Sequence, residues 1–324
     1  MRRLLRVLAV LAVLVGLGVG GFVYMNWPTP ERMPGVPNVS IGSIKRLDGL
    51  TFHAIDPRPV DVWLPAGYPA NAPYDVLYMH DGQMLFDAAE TWNHQEWMVD
   101  EIAGALQQAG DVQPFIVVGI HNRSADRHAE YQPQRAFARL SDADKAAQLA
   151  QRRTLLDPLY RGDVRSDRYL QWLVEELKPV IDRDFRVSPL MSDTAIMGSS
   201  MGGLISWYAL ERYPTVFGAA ACLSTHWPGG FPDGDNTLDD ALLAEFEAGL
   251  PEPGTHRFWF DHGTETLDQH YPELQQRADQ ILKAKGYTDA DWQTRVYPGA
   301  DHSEQAWASR LADPLRFLFA KPQS

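Results

Sequence analysis

"TAIMGSSMGGLISW", residues Thr194 to Trp207, places two adjacent serines among glycines, between two apolar runs. The pattern G-x-S-x-G occurs as Gly198-Ser199-Ser200-Met201-Gly202, with Ser200 at its centre and Ser199 as spacer. Such a pentapeptide predicts a sharp strand-to-helix turn. The central serine stands at the apex in a strained conformation with its hydroxyl exposed, and small residues two before and two after avoid backbone clashes. The next N–H, that of Met201, falls at a helix start, where unpaired donors and the helix dipole favour negative charge. Met201 is therefore expected to supply half of an oxyanion hole. The pentapeptide alone also turns up by chance, so the rest of the chain must provide its context.

Working outward, apolar runs alternate with helical patterns. Strands are expected at "YDVLYM" (Tyr74–Met79), "FIVVGI" (Phe115–Ile120), "TAIMG", "FGAAACLS" (Phe217–Ser224), "RFWFDHG" (Arg257–Gly263) and "QTRVYPG" (Gln293–Gly299). Residues 41–64 read as short β segments. Helices are expected around Glu96–Gln108, over "DRYLQWLVEELKPVIDRDF", from Met201 to Leu210, over "LDQHYPELQQRADQILKAKG" and over "SEQAWASRLADPLRFLF". The stripe Leu170, Leu173, Val174, Leu177, Val180, Ile181 has helical spacing. Short continuous apolar runs suit strands covered on both faces, and their alternation with helices implies a mostly parallel, doubly wound α/β sheet. Ligands in such sheets bind at the carboxyl ends of the strands. The polar stretch from Asn122 to Asp163 breaks this rhythm and is read as either a lid or a solvated excursion.

A serine hydroxyl needs a base and an orienting acid. Five of the ten histidines follow Ser200: His226, His256, His262, His270 and His302. Of these, His302 in "YPGADHSEQAW" stands after the last strand and after a set of carboxylates, and is expected to be the general base. The acid should lie in "FDHGTETLDQHY", where Asp261, Glu265 and Asp268 are candidates. Asp268 is preferred, Glu265 is the alternative, and Asp261 is close enough to the strand to fasten a turn instead. The second oxyanion donor is expected after the first core strand, in "LYMHDGQMLFD", from the N–H of Gln83, with Gly82 as the alternative. Gly82 is read as allowing close backbone approach to a substrate.

Composition bounds the rest. With 324 residues, 45% hydrophobic content and ten tryptophans, the chain has enough material for one large domain with a substantial core. A formal charge of −13 disfavours nucleic-acid binding. Cys222 is the single cysteine and reads as a buried thiol, so no intrachain disulfide is possible. No HExxH, EF-hand loop, paired CxxC, Walker A or strand-GxGxxG-helix pattern is present, and neither metal nor cofactor is implied. Most of Trp207, Trp227 and Trp307 are expected in the core, with one or two lining a substrate pocket. At the N-terminus three arginines precede about 19 apolar residues, Val7–Met25, long enough to span a bilayer. The expected organisation is a signal anchor over 1–27 (alternatively a cleaved signal peptide), a proline-rich linker over 28–40 and a catalytic domain over 41–324. The domain would be periplasmic, outside the cytoplasmic membrane, or secreted if the signal is cleaved.

The combination of "YMHDGQMLFD", "RYLQWLVEELKPVID", "DTAIMGSSMGGLISW", "LSTHWPG", "FDHGTETLD" and "GADHSEQAWASRL" resembles the esterase family of the α/β-hydrolase superfamily that includes relatives of esterase D, feruloyl esterases, siderophore esterases and mycolyltransferases. The likeness covers about residues 45–320. It implies an α/β-hydrolase fold, Ser200 as nucleophile, His302 as base and the loop after "HDG" as oxyanion site. The "LD" of "TETLD" recurs in similar members and favours Asp268, while an acid nearer the glycine, as in many esterases of this fold, keeps Glu265 open. The expectation is a serine carboxylic-ester hydrolase with a small-molecule ester substrate and no implied protein partner. Acyl transfer on the same fold and a non-catalytic envelope-binding module are the alternatives.

Overall fold

The computed structural model describes residues 35–47, 53–232 and 237–321. Its centre is an eight-stranded sheet of order β1-β2-β4-β3-β7-β8-β9-β10. The strands are β1 Ser43–Arg46, β2 Val60–Leu64, β3 Asp75–His80, β4 Phe115–Ile120, β7 Thr194–Ser199, β8 Ala219–Leu223, β9 Arg257–His262 and β10 Trp292–Val296. From β4 to β10 all neighbours run parallel, and β1 and β2 complete the sheet antiparallel to their neighbours.

Side-chain alternation along the strands explains the layering. Val76 and Tyr78 of β3, Ile116, Val118 and Ile120 of β4 and Ile196 of β7 belong to one core cluster. Leu77 and Met79, Phe115 and Val117, and Ala195 and Met197 belong to the other. A strand whose successive residues feed two cores must be apolar throughout, which is why these segments read as unbroken apolar runs. The first core is closed by residues of the helices Met201–Arg212, Thr237–Gly249 and Pro272–Lys285 and of the segment 166–184. The second is closed by Val99–Ala109 and by the pair Glu304–Arg310 and Ala312–Leu318. The result is the three-layer α/β sandwich expected from the alternation.

Three elements differ from the sequence reading. The expected helix over 167–185 contains a π-helical turn, Leu173–Leu177, between Ser166–Trp172 and Lys178–Asp184. The expected helix from Leu267 begins instead as a 3-10 turn, Thr266–His270, because Pro272 is accommodated without its missing N–H only at a helix start. Strand β10 is an edge strand, half-buried to exposed, rather than one covered on both faces.

The stretch after β4, read as either a lid or a solvated excursion, is packed on the domain and so is not a solvated excursion. It folds into helices Arg127–Tyr131, Gln134–Ala138 and Asp142–Leu149 and a separate hairpin, β5 Arg152–Thr154 with β6 Asp157–Pro158. Ala129, Tyr131, Ala136, Phe137 and Leu140 are buried in the first core. The described part of the proline-rich stretch lies against the domain. Gly35 N–H donates to Glu90, Asn38 N–H to Asp87 and Ser40 N–H to Asp100. Among the described residues no helix is long and apolar enough to cross a membrane, and the apolar stretch Val7–Met25 lies outside them.

Candidate active site

Ser200 follows β7 directly and precedes the helix Met201–Arg212, with φ 58° and ψ −122°. A non-glycine residue here is strained and must be held by its surroundings. Its N–H donates to Leu223 O at 2.9 Å, and its carbonyl accepts from His226 N–H at 3.1 Å and Gly203 N–H at 3.0 Å. Gly198 must be glycine, because a Cβ there would stand 2.9 Å from the backbone of Gly202. Ser199 is the last residue of the strand, and its carbonyl faces Arg127. Met201 is the first helical residue, so its N–H has no acceptor one turn back.

His302 lies after β10, on the loop leading to the helix Glu304–Arg310. Its Nδ1 is 2.6 Å from Asp268 Oδ1, and its backbone N–H is fixed by Thr266 Oγ1 at 2.9 Å. Trp307 stands edge-on to the imidazole at 4.9 Å between centroids, and Tyr271 flanks it at 5.9 Å. Asp268 is fully buried. Its second oxygen accepts from Ser224 Oγ and from Gly263 N–H, each at 2.6 Å. Burial alone would raise its pKa, but the bonds from His302, Ser224 and Gly263 prevail and hold the carboxyl below the usual range. Donation from His302 Nδ1 to this carboxylate leaves Nε2 as the nitrogen available for proton transfer.

The two other acid candidates are placed elsewhere. Glu265 is exposed at the start of the 3-10 turn. Asp261 is buried against Arg310, at 2.9 Å, and Trp259, at 2.9 Å, and burial pushes its pKa up. Arg310 also donates to Ser224 Oγ at 2.8 Å, so Asp261 fastens the support beneath Asp268 rather than touching His302. The remaining downstream histidines are engaged: His226 with Tyr271 and Gly230 O, His256 with Pro214 O, and His262 with Gly263 O. His270 is exposed.

Ser200, His302 and Gln83 line one open cleft of about 680 Å³ at the carboxyl ends of the strands, with Met84, Trp92, Trp97, Trp307 and the polar residues Asn93 and Gln95. Gln83 lies in a 3-10 turn, Gly82–Met84, entered through Asp81 in the left-handed region at φ 59°. A Cβ at Gly82 would lie 2.5 Å from the carbonyl carbon of Gly119, so close packing against β4 requires a glycine at this position. Trp307 lines the cleft as expected, whereas Trp207 and Trp227 are core residues stacked on each other. Cys222 is buried, and burial raises its thiol pKa.

Sequence reasoning missed several residues of this constellation. Arg127 makes a bidentate pair with Asp81, at 2.9 and 2.7 Å, and Asn122 donates to the same carboxylate at 2.7 Å. These bonds, with burial opposing them, hold Asp81 ionised and tie the segment after β4 to the turn that carries Gln83. Ser224, at φ 42°, orients Asp268 from the end of β8. The Tyr271 hydroxyl lies 2.8 Å from His226 Nδ1. Burial lowers the His226 pKa to about 4, so the ring is neutral. Its Nε2–H donates to Gly230 O, leaving Nδ1 to accept from Tyr271. Ser224 sits at the carboxyl end of its strand, the same positional signal that marked Ser200 and His302.

The family model described as "Putative esterase" matches residues 55–318. An uncharacterized protein of Bacillus subtilis (strain 168), YbbA, is 23% identical over 283 residues, covering 85% of this chain and 98% of the relative. Among solved structures, the CE1 ferulic acid esterase of Anaeromyces mucronatus, in complex with ferulic acid, superposes with a TM-score of 0.57 at 17% identity. That match covers 89% of this chain and 95% of that one. An IroE-like serine hydrolase from Shewanella oneidensis gives 0.57 at 20% identity, over 86% of this chain and 79% of that one. The chain belongs to this esterase family, a group of carboxylic ester hydrolases with the α/β-hydrolase fold.

Proposed function

We propose that this esterase hydrolyses its ester through an acyl-enzyme on Ser200, with His302 as general base and Asp268 as the orienting acid. The observation that carries the reading is the 2.6 Å contact between His302 Nδ1 and a fully buried, ionised Asp268, on the same cleft as a strained Ser200. His302 Nε2 takes the Ser200 proton as Oγ attacks the ester carbonyl carbon. The oxyanion that forms is received by the N–H groups of Met201 and Gln83. Collapse of this intermediate expels the alcohol, which takes the proton from His302. Water, deprotonated by the same ring, then cleaves the acyl-enzyme and frees the acid. Asp268 stays ionised throughout and stabilises the imidazolium.

The wide, open cleft with its tryptophans supports a small-molecule ester with an apolar part, and the ferulic acid bound by the Anaeromyces enzyme is the aromatic acid half of such an ester. The apolar stretch Val7–Met25, preceded by arginines, supports placement of the domain on the outer side of a cytoplasmic membrane. Hydrolysis of p-nitrophenyl esters of increasing acyl length, with Ser200→Ala beside the wild type, tests the reading. Activity that disappears in the variant supports it. Equal rates in both proteins refute serine catalysis, and a product acylated on an added alcohol in place of free acid assigns transfer.

A further inference from the structure

Hairpin β5–β6 has the two-residue tip Leu155-Leu156 between the paired residues Thr154 and Asp157. Two-residue hairpin tips favour Asn-Gly, Asp-Gly or glycine, so turn geometry does not account for two leucines. Nor does packing, since Leu155 is 79% and Leu156 55% exposed. Their shoulders are Arg152 and Arg153, both exposed. The base is firm: Leu159 N–H donates to Gln151 O, and Leu159 and Tyr160 are buried. Arg153 pairs with Asp157 at 3.5 Å across the hairpin, so an apolar tip on a rigid base with Arg152 beside it suits insertion among lipid acyl chains, with the Arg152 guanidinium at the headgroups.

The hairpin stands at the mouth of the cleft, where Arg153 and Asp157 are lining residues. Trp92, 82% exposed, stands at the same mouth, and indole is the side chain most at home in the membrane interface. The described chain also begins there, since Gly35 N–H donates to Glu90 at 2.6 Å, two residues before Trp92. Only residues 26–34 separate that point from the apolar stretch Val7–Met25. Fully extended, such a segment reaches about 30 Å, so the mouth of the cleft cannot stray far from a membrane that holds Val7–Met25. The formal charge of −13 keeps the rest of the acidic surface off anionic headgroups, which confines the contact to the arginine-flanked tip.

We propose that Leu155 and Leu156, with Trp92, seat the mouth of the cleft on the lipid surface, so that the enzyme draws its ester from the membrane interface. The inference takes from the functional reading the membrane placement of Val7–Met25, and its first test does not depend on catalysis. Full-length protein carrying Leu155→Cys is labelled with an environment-sensitive fluorophore and reconstituted with phosphatidylcholine–phosphatidylglycerol vesicles containing doxyl lipids. Cys222 is buried, and Leu190→Cys, an exposed position at the opposite end of the sheet, is the control. Strong doxyl quenching at 155 and none at 190 is expected. Equal quenching at both sites, or none at 155, overturns the proposal. A spectral shift at 155 that appears without lipid and scales with dimer formation overturns it too, by assigning the patch to a second copy. In a second measurement the double variant Leu155→Ser, Leu156→Ser should keep its rate on a soluble ester. It should lose at least about tenfold in kcat/KM on an ester embedded in vesicles. Equal loss on both substrates refutes the interfacial role. Inactivity of the wild type on every ester, with quenching intact, faults the catalytic reading alone.

Discussion

Asp268→Asn replaces one carboxylate oxygen by an amide NH2 and changes almost nothing else in shape. Asp268 now accepts three hydrogen bonds, one from His302 Nδ1 on Oδ1 and two, from Ser224 Oγ and Gly263 N–H, on Oδ2. An asparagine has one oxygen for three donors. With that oxygen toward Gly263 and Ser224, the NH2 faces His302, whose Nδ1 must then accept and whose proton moves to Nε2. With the oxygen toward His302, the NH2 meets the Gly263 N–H, a buried donor facing a donor, at a cost of about 1–3 kcal/mol. The first arrangement wins, and it leaves the ring without a lone pair for Ser200. Loss of the correct tautomer costs a triad enzyme about 10⁴ in kcat, roughly 5.5 kcal/mol of barrier. Stability falls far less, by about 1–2 kcal/mol, as a charge-assisted bond becomes an ordinary one. Steady-state p-nitrophenyl ester kinetics and urea denaturation on the same preparations separate the two effects. Glu265→Ala, at an exposed position, should be near wild type in both. An Asp268→Asn enzyme with more than a tenth of wild-type kcat, or a Glu265→Ala enzyme equally impaired, refutes the assignment.

Gly198→Ala places a Cβ 2.9 Å from the Gly202 backbone, where no side chain can yield. It should cost about 1–3 kcal/mol in urea denaturation and shift Ser200 enough to depress kcat, and an unchanged enzyme would show that the turn is not held by this contact. Tyr271→Phe strands the buried His226 Nδ1 and should lower stability by about 1–3 kcal/mol, with a kcat loss far smaller than that of Asp268→Asn; a comparable loss in kcat would place the tyrosine in the chemistry itself. Burial holds His226 at about 4 and His80 at about 3, below an unfolded value near 6.5. Between those limits the unfolded chain binds more protons at these two sites, so their contribution is complete above about pH 6.5 and is lost as pH falls toward 4, by up to about 1.4 kcal/mol per pH unit for each, while Asp75, raised to about 7, and Glu211, raised to about 8, act in the opposite sense. Urea midpoints of the wild type and of His226→Gln at pH 7, 6 and 5 check this, and a difference between the two that does not change with pH would contradict the burial of a neutral imidazole at 226.

The central strands were legible because each feeds two cores and carries unbroken apolar sequence, and the glycines around Ser200 were legible because Gly198 has no room for a side chain. His302 could be chosen by order along the chain. What escaped the sequence was long-range polar contact. The choice between Asp268 and Glu265 depends on which carboxylate is turned inward by Gly263 N–H and Ser224, from a loop and a strand end far apart in sequence. Likewise the Asp81–Arg127 pair joins a turn and a helix start 46 residues apart, and no local pattern marks it. At Gly82 the close approach that a glycine permits is visible against strand β4, where the Gly119 backbone leaves no room for a Cβ.

The most direct test of the central claim is the site of covalent capture by a fluorophosphonate, read by tandem mass spectrometry on the full-length native protein. The account predicts one adduct, on Ser200, that forms at a rate strongly reduced by Asp268→Asn and is absent from Ser200→Ala. An adduct on Ser199 or Ser224, or none on a protein whose folding is intact, would contradict it.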